Sequence, residues 1–140
     1  MLKHAMLVLE ADGGSRGNPG PAGAGAVLRS ASGEIIREMK QYLGHTTNNV
    51  AEYQGLIMGL GAAAEYKPDR LLVRLDSELL VRQLNGIYKV KSLHLKPLYQ
   101  QALALLQQLG EVEIIHIPRA RNNQADALAN QAMDEGAQGK

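Results

Sequence analysis

The chain has 140 residues, 45% of them hydrophobic, and 15 Lys and Arg against 14 Asp and Glu give a formal net charge of +1. That length fits one domain over residues 1–140 with a core of useful size. The near-neutral balance excludes a binder that holds polyanions by overall charge, so any nucleic-acid contact must be local.

Cys, Phe and Trp are absent. This rules out disulfides and thiolate metal sites, fits a reducing, cytoplasmic setting, and leaves Leu, Ile, Val, Met and Ala to fill the core. The start, MLKHAMLVLEAD, has too short an apolar stretch and no small-residue cleavage pattern for a secretory signal. Nowhere do about eighteen apolar residues run together, so no membrane span is expected. There is no linker and no internal repeat.

In chain order, Met6 to Asp12 reads as a strand that ends on an acid. GAGAVLRS (23–30) and EIIREMKQYL (34–43) read as two more, joined by a turn at Ser32-Gly33. Short connections make these three an antiparallel meander. Asn48 or Asn49 then caps a helix that runs to about Tyr66 and is stopped by Pro68. Gly55, Gly59 and Gly61 weaken its propensity, and close packing on the sheet would explain them. RLLVRLD is a strand ending in Asp76, Ser77 caps a short helix (ELLVRQLNG), and a basic loop follows.

Next comes a helix in LKPLYQQALALLQQLG, with Leu98, Ala102, Leu105 and Leu109 at helical spacing, and then a fifth strand, EVEIIHIP. The last helix, within NNQADALANQAMDEG, carries Ala125, Leu128, Ala129, Ala132 and Met133 as one apolar stripe. The order β-β-β-α-β-α-α-β-α predicts an α/β fold with a mixed five-stranded sheet. Strands 1–3 are antiparallel, strands 1, 4 and 5 parallel, and helices flank them.

Four acids stand at the edges of this framework. Asp12 ends the first strand, Glu52 lies in the first turn of the first helix, Asp76 ends the fourth strand and Asp126 opens the last helix. Each has an ordinary use, as a helix-dipole partner, a cap or a turn ligand. Together they say more. Right-handed crossovers set the fourth strand beside the first, which makes Asp12 and Asp76 neighbours, and helix starts at the same sheet edge bring in Glu52 and Asp126. Four converging carboxylates repel one another unless a cation neutralises them. An all-oxygen cluster selects Mg²⁺ or Mn²⁺ over Zn²⁺, and two such ions ~3.5–4 Å apart suit phosphodiester hydrolysis.

The segments DGGSRGNPGPAGAGAVL, TTNNVAEYQGLIMGL, LVRLDSELLVRQLNG, YKVKSLHLKPLY and IHIPRARNNQADALANQA resemble ribonuclease H type 1, in its compact archaeal and bacterial branch that lacks a basic protrusion. The resemblance spans nearly the whole chain. It implies a ribonuclease H-like fold and endonucleolytic cleavage of the RNA strand of RNA–DNA hybrids with two divalent ions, leaving 5′-phosphate and 3′-hydroxyl ends. It places the four metal-binding carboxylates on Asp12, Glu52, Asp76 and Asp126, and the full set argues against a catalytically dead member.

Hybrid-contacting positions fall on Asn18, Asn48 and Asn49, whose neutral amides suit the 2′-hydroxyl-lined minor groove. Gly14 allows close backbone approach, and Thr47 matches a position that helps hold a DNA phosphate. Lys89, Lys91 and Lys96 are candidates to grip the DNA backbone. Double-stranded RNA stands as a second candidate partner, and a monomer is the default.

Two departures stand out. Glu78 occupies a position where many members carry Gln, which adds a charge near phosphate. The loop before the last helix reads IPRARNN, where many members carry a His that helps product leave. Arg119 is the preferred candidate for that role over Arg121 and over His116, which lies within the strand. His4, His45 and His94 show no metal-ligand spacing. A 3′–5′ exonuclease of the same fold would begin with Asp-x-Glu, whereas Asp12 is followed by Gly13 and Gly14. A non-catalytic hybrid- or double-stranded-RNA-binding module would not need all four acids.

Overall fold

A computed structural model describes residues 5–138, without the side chain of Gln138; His4 therefore lies outside the described residues. The strands are β1 (Met6–Ser15), β2 (Gly20–Ser30), β3 (Ile35–Thr46), β4 (Arg70–Leu75) and β5 (Glu111–His116). The helices are α1 (Asn48–Tyr66), α2 (Glu78–Leu84), α3 (Lys96–Gln108) and α4 (Asn123–Gln138), with a 3₁₀ turn at Arg119–Arg121. The five strands lie in the order β3-β2-β1-β4-β5. β1 is antiparallel to β2 and parallel to β4, and β4 is parallel to β5. This is the mixed sheet expected.

Strand alternation divides the molecule into two layers of packing. Leu7, Leu9 and Ala11 point to one face of the sheet and bury against Tyr53, Leu56 and Leu60 of α1. Val27 on the opposite face packs with Ala125 and Leu128 of α4. The predicted stripe on α4 is buried along its full length, Ala132 and Met133 included. α4 lies so close to β2 that a side chain at Gly25 would place its Cβ 2.7 Å from Leu128 Cβ. Likewise, a Cβ at Gly55 would fall 2.5 Å from the Asp12 carbonyl oxygen, so α1 rests directly on the backbone of β1.

Several boundaries differ from expectation. β1 does not end at Asp12, because β2 starts at Gly20 and pairs Asp12 with Gly25 and Ser15 with Ala22. The acid therefore sits inside a strand whose pairing with β2 continues past it, while pairing with β4 stops at Ala11. The helix cap is Thr47 and not Asn48 or Asn49: its hydroxyl accepts from Val50 N at 3.3 Å, with the extended backbone a cap requires. Glu52 consequently lies beyond the first turn, which holds no acid. Gly61 has nothing within 4 Å of a would-be Cβ, so close packing accounts for Gly55 and Gly59 alone. Ser77 caps α2 as expected, accepting from Leu80 N at 3.3 Å. Among the described residues no helix is long and apolar enough to cross a membrane.

Candidate metal and nucleic-acid site

A cleft of about 540 Å³ opens where β1, β4, α1 and α4 meet, and all four predicted acids line it. Asp12, Glu52 and Asp76 come closest, each offering a carboxylate oxygen within 4.8 Å of the others. Asp126 faces the same cleft from the first turn of α4. It interacts with the Asp12 carboxyl, and its Oδ1 lies 3.9 Å from Arg119 Nη2.

The electrostatics follow from this placement. Asp12 is 9% exposed. Burial, then the charge of Asp76 and the proximity of Asp126, push its pKa up to about 8 despite a 2.9 Å hydrogen bond from Gly13 N. Burial and Asp76 push Glu52 up to about 7, opposed by the Ser77 hydroxyl and the Arg119 charge. Asp76 is raised as well, mainly by burial, while the Asn122 amide and Arg119 act against the shift. Three crowded carboxylates that resist ionisation form an all-oxygen donor set suited to a hard divalent cation, which would restore their charged forms. The donor set fits such an ion.

The neutral rim is also assembled. Asn18 Oδ1 accepts from Asn48 N at 3.1 Å, while Asn48 Oδ1 accepts from Ser15 N at 2.7 Å. These bonds tie the β1–β2 turn to the start of α1. Gly14, Asn48 and Asn49 line the acid cleft. Asn49 also borders a second opening of about 470 Å³ that Asn18, Thr47, Ser92 and His94 share. Thr47 thus caps α1 and faces that opening.

Other candidates are spread more widely. Arg119 lines the acid cleft with its side chain 84% exposed, whereas Arg121 and His116 do not line it. Lys89 and Lys91 are exposed in the loop after α2, and Lys96 is the first residue of α3 rather than part of that loop. None of the three lines either opening. Glu78 does not line the acid cleft; its carboxylate accepts from Arg82 Nε at 2.8 Å, and the Arg82 guanidinium lies 5.4 Å from the Tyr88 ring centre.

Sequence reasoning missed Asn122. This side chain is fully buried, and its Nδ2 donates to Ala11 O at 2.9 Å, one residue before Asp12. The same amide supports Asp76, and the Asn122 carbonyl accepts from Asp126 N at 3.1 Å. One residue therefore braces three of the four acids. Its Oδ1 is buried without a partner among the described residues. The available signal was an Asn four residues before Asp126, which reads equally well as part of a helix start. Arg16, which also lines the cleft, was missed too.

Comparison with known proteins places this arrangement. The family model described as reverse transcriptase-like matches residues 10–132. The bifunctional protein Rv2228c of Mycobacterium tuberculosis is 52% identical over 94% of this chain, which spans 36% of that protein's length. Its N-terminal RNase H domain, solved as a fusion, superposes with a TM-score of 0.93 at 51% identity, covering 96% of this chain and 98% of that one. Ribonuclease HI of Halobacterium salinarum is 45% identical over 89% of this chain and 62% of its own. LC11-RNase H1, solved in complex with an RNA/DNA hybrid, has a TM-score of 0.89 at 40% identity, covering 94% of this chain and 99% of that one. With the five-stranded order and the acid cluster described above, these matches settle the family: the chain is a compact member of the ribonuclease H type 1 family.

Proposed function

We propose that this chain cuts the RNA strand of RNA–DNA hybrids internally, without sequence preference, leaving 5′-phosphate and 3′-hydroxyl ends. The observation that carries this reading is the convergence of Asp12, Glu52 and Asp76 on one small volume at the floor of an open cleft. Asp12, Glu52, Asp76 and Asp126 would hold two Mg²⁺ or Mn²⁺ ions, which when bound supply a polarised water and charge stabilisation for phosphodiester hydrolysis.

The chain's own residues do the rest. Partial burial strengthens the interactions among the carboxylates, and the Asn122 amide and the Ser77 hydroxyl favour the charged forms of Asp76 and Glu52. Asn18, Asn48, Asn49 and the half-buried backbone at Gly14 meet the minor groove, where neutral amides recognise 2′-hydroxyls without reading bases. Thr47 takes a phosphate of the DNA strand, and Lys89, Lys91 and Lys96 add local charge for that backbone. Arg119, exposed at the mouth of the cleft, assists departure of the cleaved phosphate. The relatives named for ribonuclease H activity and the hybrid-bound LC11 structure support the substrate class.

End-labelled RNA–DNA, RNA–RNA and DNA–DNA duplexes incubated with Mg²⁺, Mn²⁺ or EDTA test this reading. Metal-dependent internal cuts in the RNA of the hybrid are expected, and the RNA–RNA arm shows whether that duplex is a second substrate. Binding without metal-dependent cuts would instead make the chain a non-catalytic hybrid-binding module.

A further inference from the structure

Among the described residues, Arg16 and Arg119 are the two cationic residues lining the acid cleft, and Arg16 plays no part in the function described above. Its backbone is fixed at the rim, with Arg16 N donating to Pro21 O at 2.8 Å across the β1–β2 turn. Its guanidinium is held much less firmly. Nη2 lies 2.7 Å from the Asp134 carboxylate and 3.4 Å from the Asn130 carbonyl oxygen, and the two side chains of the ion pair are 45% and 59% exposed. A pair so open to water is screened by salt and contributes little. A phosphate offers a guanidinium two oxygens in fork geometry and a stronger, charge-assisted bond.

We propose that Arg16 is a phosphate contact for the nucleic-acid strand lying along the acid cleft, occupied by Asp134 until that strand arrives. This rests on the hybrid-nuclease reading. A cleft floored by carboxylates repels a polyanion, and a cation anchored at its rim offsets that repulsion where the strand enters. The guanidinium exchanges a solvated carboxylate on α4 for a phosphate, while the backbone beneath it stays fixed. Asp134 then acts as a competitor for Arg16 and sets how tightly substrate is held.

The test is a double-mutant cycle of Arg16→Ala and Asp134→Asn, with kcat and KM for a labelled RNA–DNA hybrid measured with Mg²⁺ between about 50 and 200 mM salt. Arg16→Ala should raise KM by roughly threefold to tenfold, leave kcat within about twofold, and reduce the slope of log KM against log salt by about one contact. Asp134→Asn should lower KM by roughly twofold, and that gain should vanish in the Arg16→Ala background. An unchanged salt slope in Arg16→Ala, or an equal gain from Asp134→Asn with and without Arg16, overturns the proposal. Metal-free binding of the same hybrid, followed by anisotropy, separates the two levels of failure. Arg16-dependent binding without cleavage by the unaltered protein defeats the nuclease reading alone, and cleavage with an Arg16-independent slope defeats this proposal alone.

Discussion

Glu10 and Asp12 stand two residues apart on β1, point to the same face of the sheet and are similarly buried, at 5% and 9% exposed. Their surroundings are opposite. Glu10 is answered within the fold, by Arg29 Nε at 2.9 Å from β2 and by Arg74 Nη1 at 3.5 Å from β4. Asp12 is met by Asp76 and Asp126, and its pKa rises to about 8. One buried carboxylate is compensated by its neighbours on the sheet. The other is surrounded by its own kind, which makes sense for a group that works with a cation from solution. Burial alone does not separate a structural acid from a functional one; the sign of its neighbours does.

The largest effect that can break this contrast comes from Asp76→Asn. Hybrid cleavage should fall by about a thousandfold, while the metal-free melting temperature at about pH 8 should rise, because Asp12 and Glu52 lose a repelling charge. Near-normal cleavage, or a lower metal-free melting temperature, would place Asp76 with Glu10 as a structural acid.

A pH series sharpens the same point. Folding raises Asp12 from 3.8 to about 8 and Glu52 from 4.5 to about 7, so the folded chain binds more protons than the unfolded one across that window. Metal-free stability should therefore be fullest below the unfolded values and fall as pH rises toward 8. Calorimetric scans should show Mg²⁺ raising the melting temperature by several degrees at about pH 8 and by much less at about pH 5.

Glu10→Gln tests the other half. Removing that charge leaves Arg29 and Arg74 without their partner, with a stability loss of about 1–2 kcal/mol after allowing for their partial exposure. Denaturant melts should report that loss, with cleavage kept within about twofold. The smallest expected effect belongs to the exposed loop. Lys89→Ala together with Lys91→Ala should weaken hybrid binding by roughly twofold to fivefold and flatten its salt dependence, without changing stability. A loss of stability there would show that these lysines support the fold instead.

The layout of the sheet and the convergence of the acids are legible in the sequence for a physical reason. Strand order follows from short turns and right-handed crossovers, which set β4 beside β1 and bring Asp76 to Asp12 even though β1 runs on past that acid. Boundaries are less legible. Whether Thr47, Asn48 or Asn49 caps α1 depends on the backbone angles of one residue, and both residue types can serve. The continuation of β1 past Asp12 depends on Gly and Ala in β2 finding partners there, which composition does not announce. Asn122 is the least legible, since its importance lies in a bond to Ala11, 111 positions away. Glu78, singled out as a departure from the family's usual Gln, pairs with Arg82 one helical turn on and does not line the acid cleft.

The bridge from Asn122 to Ala11 has a consequence for the chain during its synthesis. It joins the first strand to the segment just before the last helix, and Asp126 follows it by four residues. A ribosome-bound chain that has released the sheet but not α4 carries Asp12, Glu52 and Asp76 without their brace and without their fourth partner. The acid cluster is therefore completed only once the segment carrying Asn122 and Asp126 has docked on the sheet.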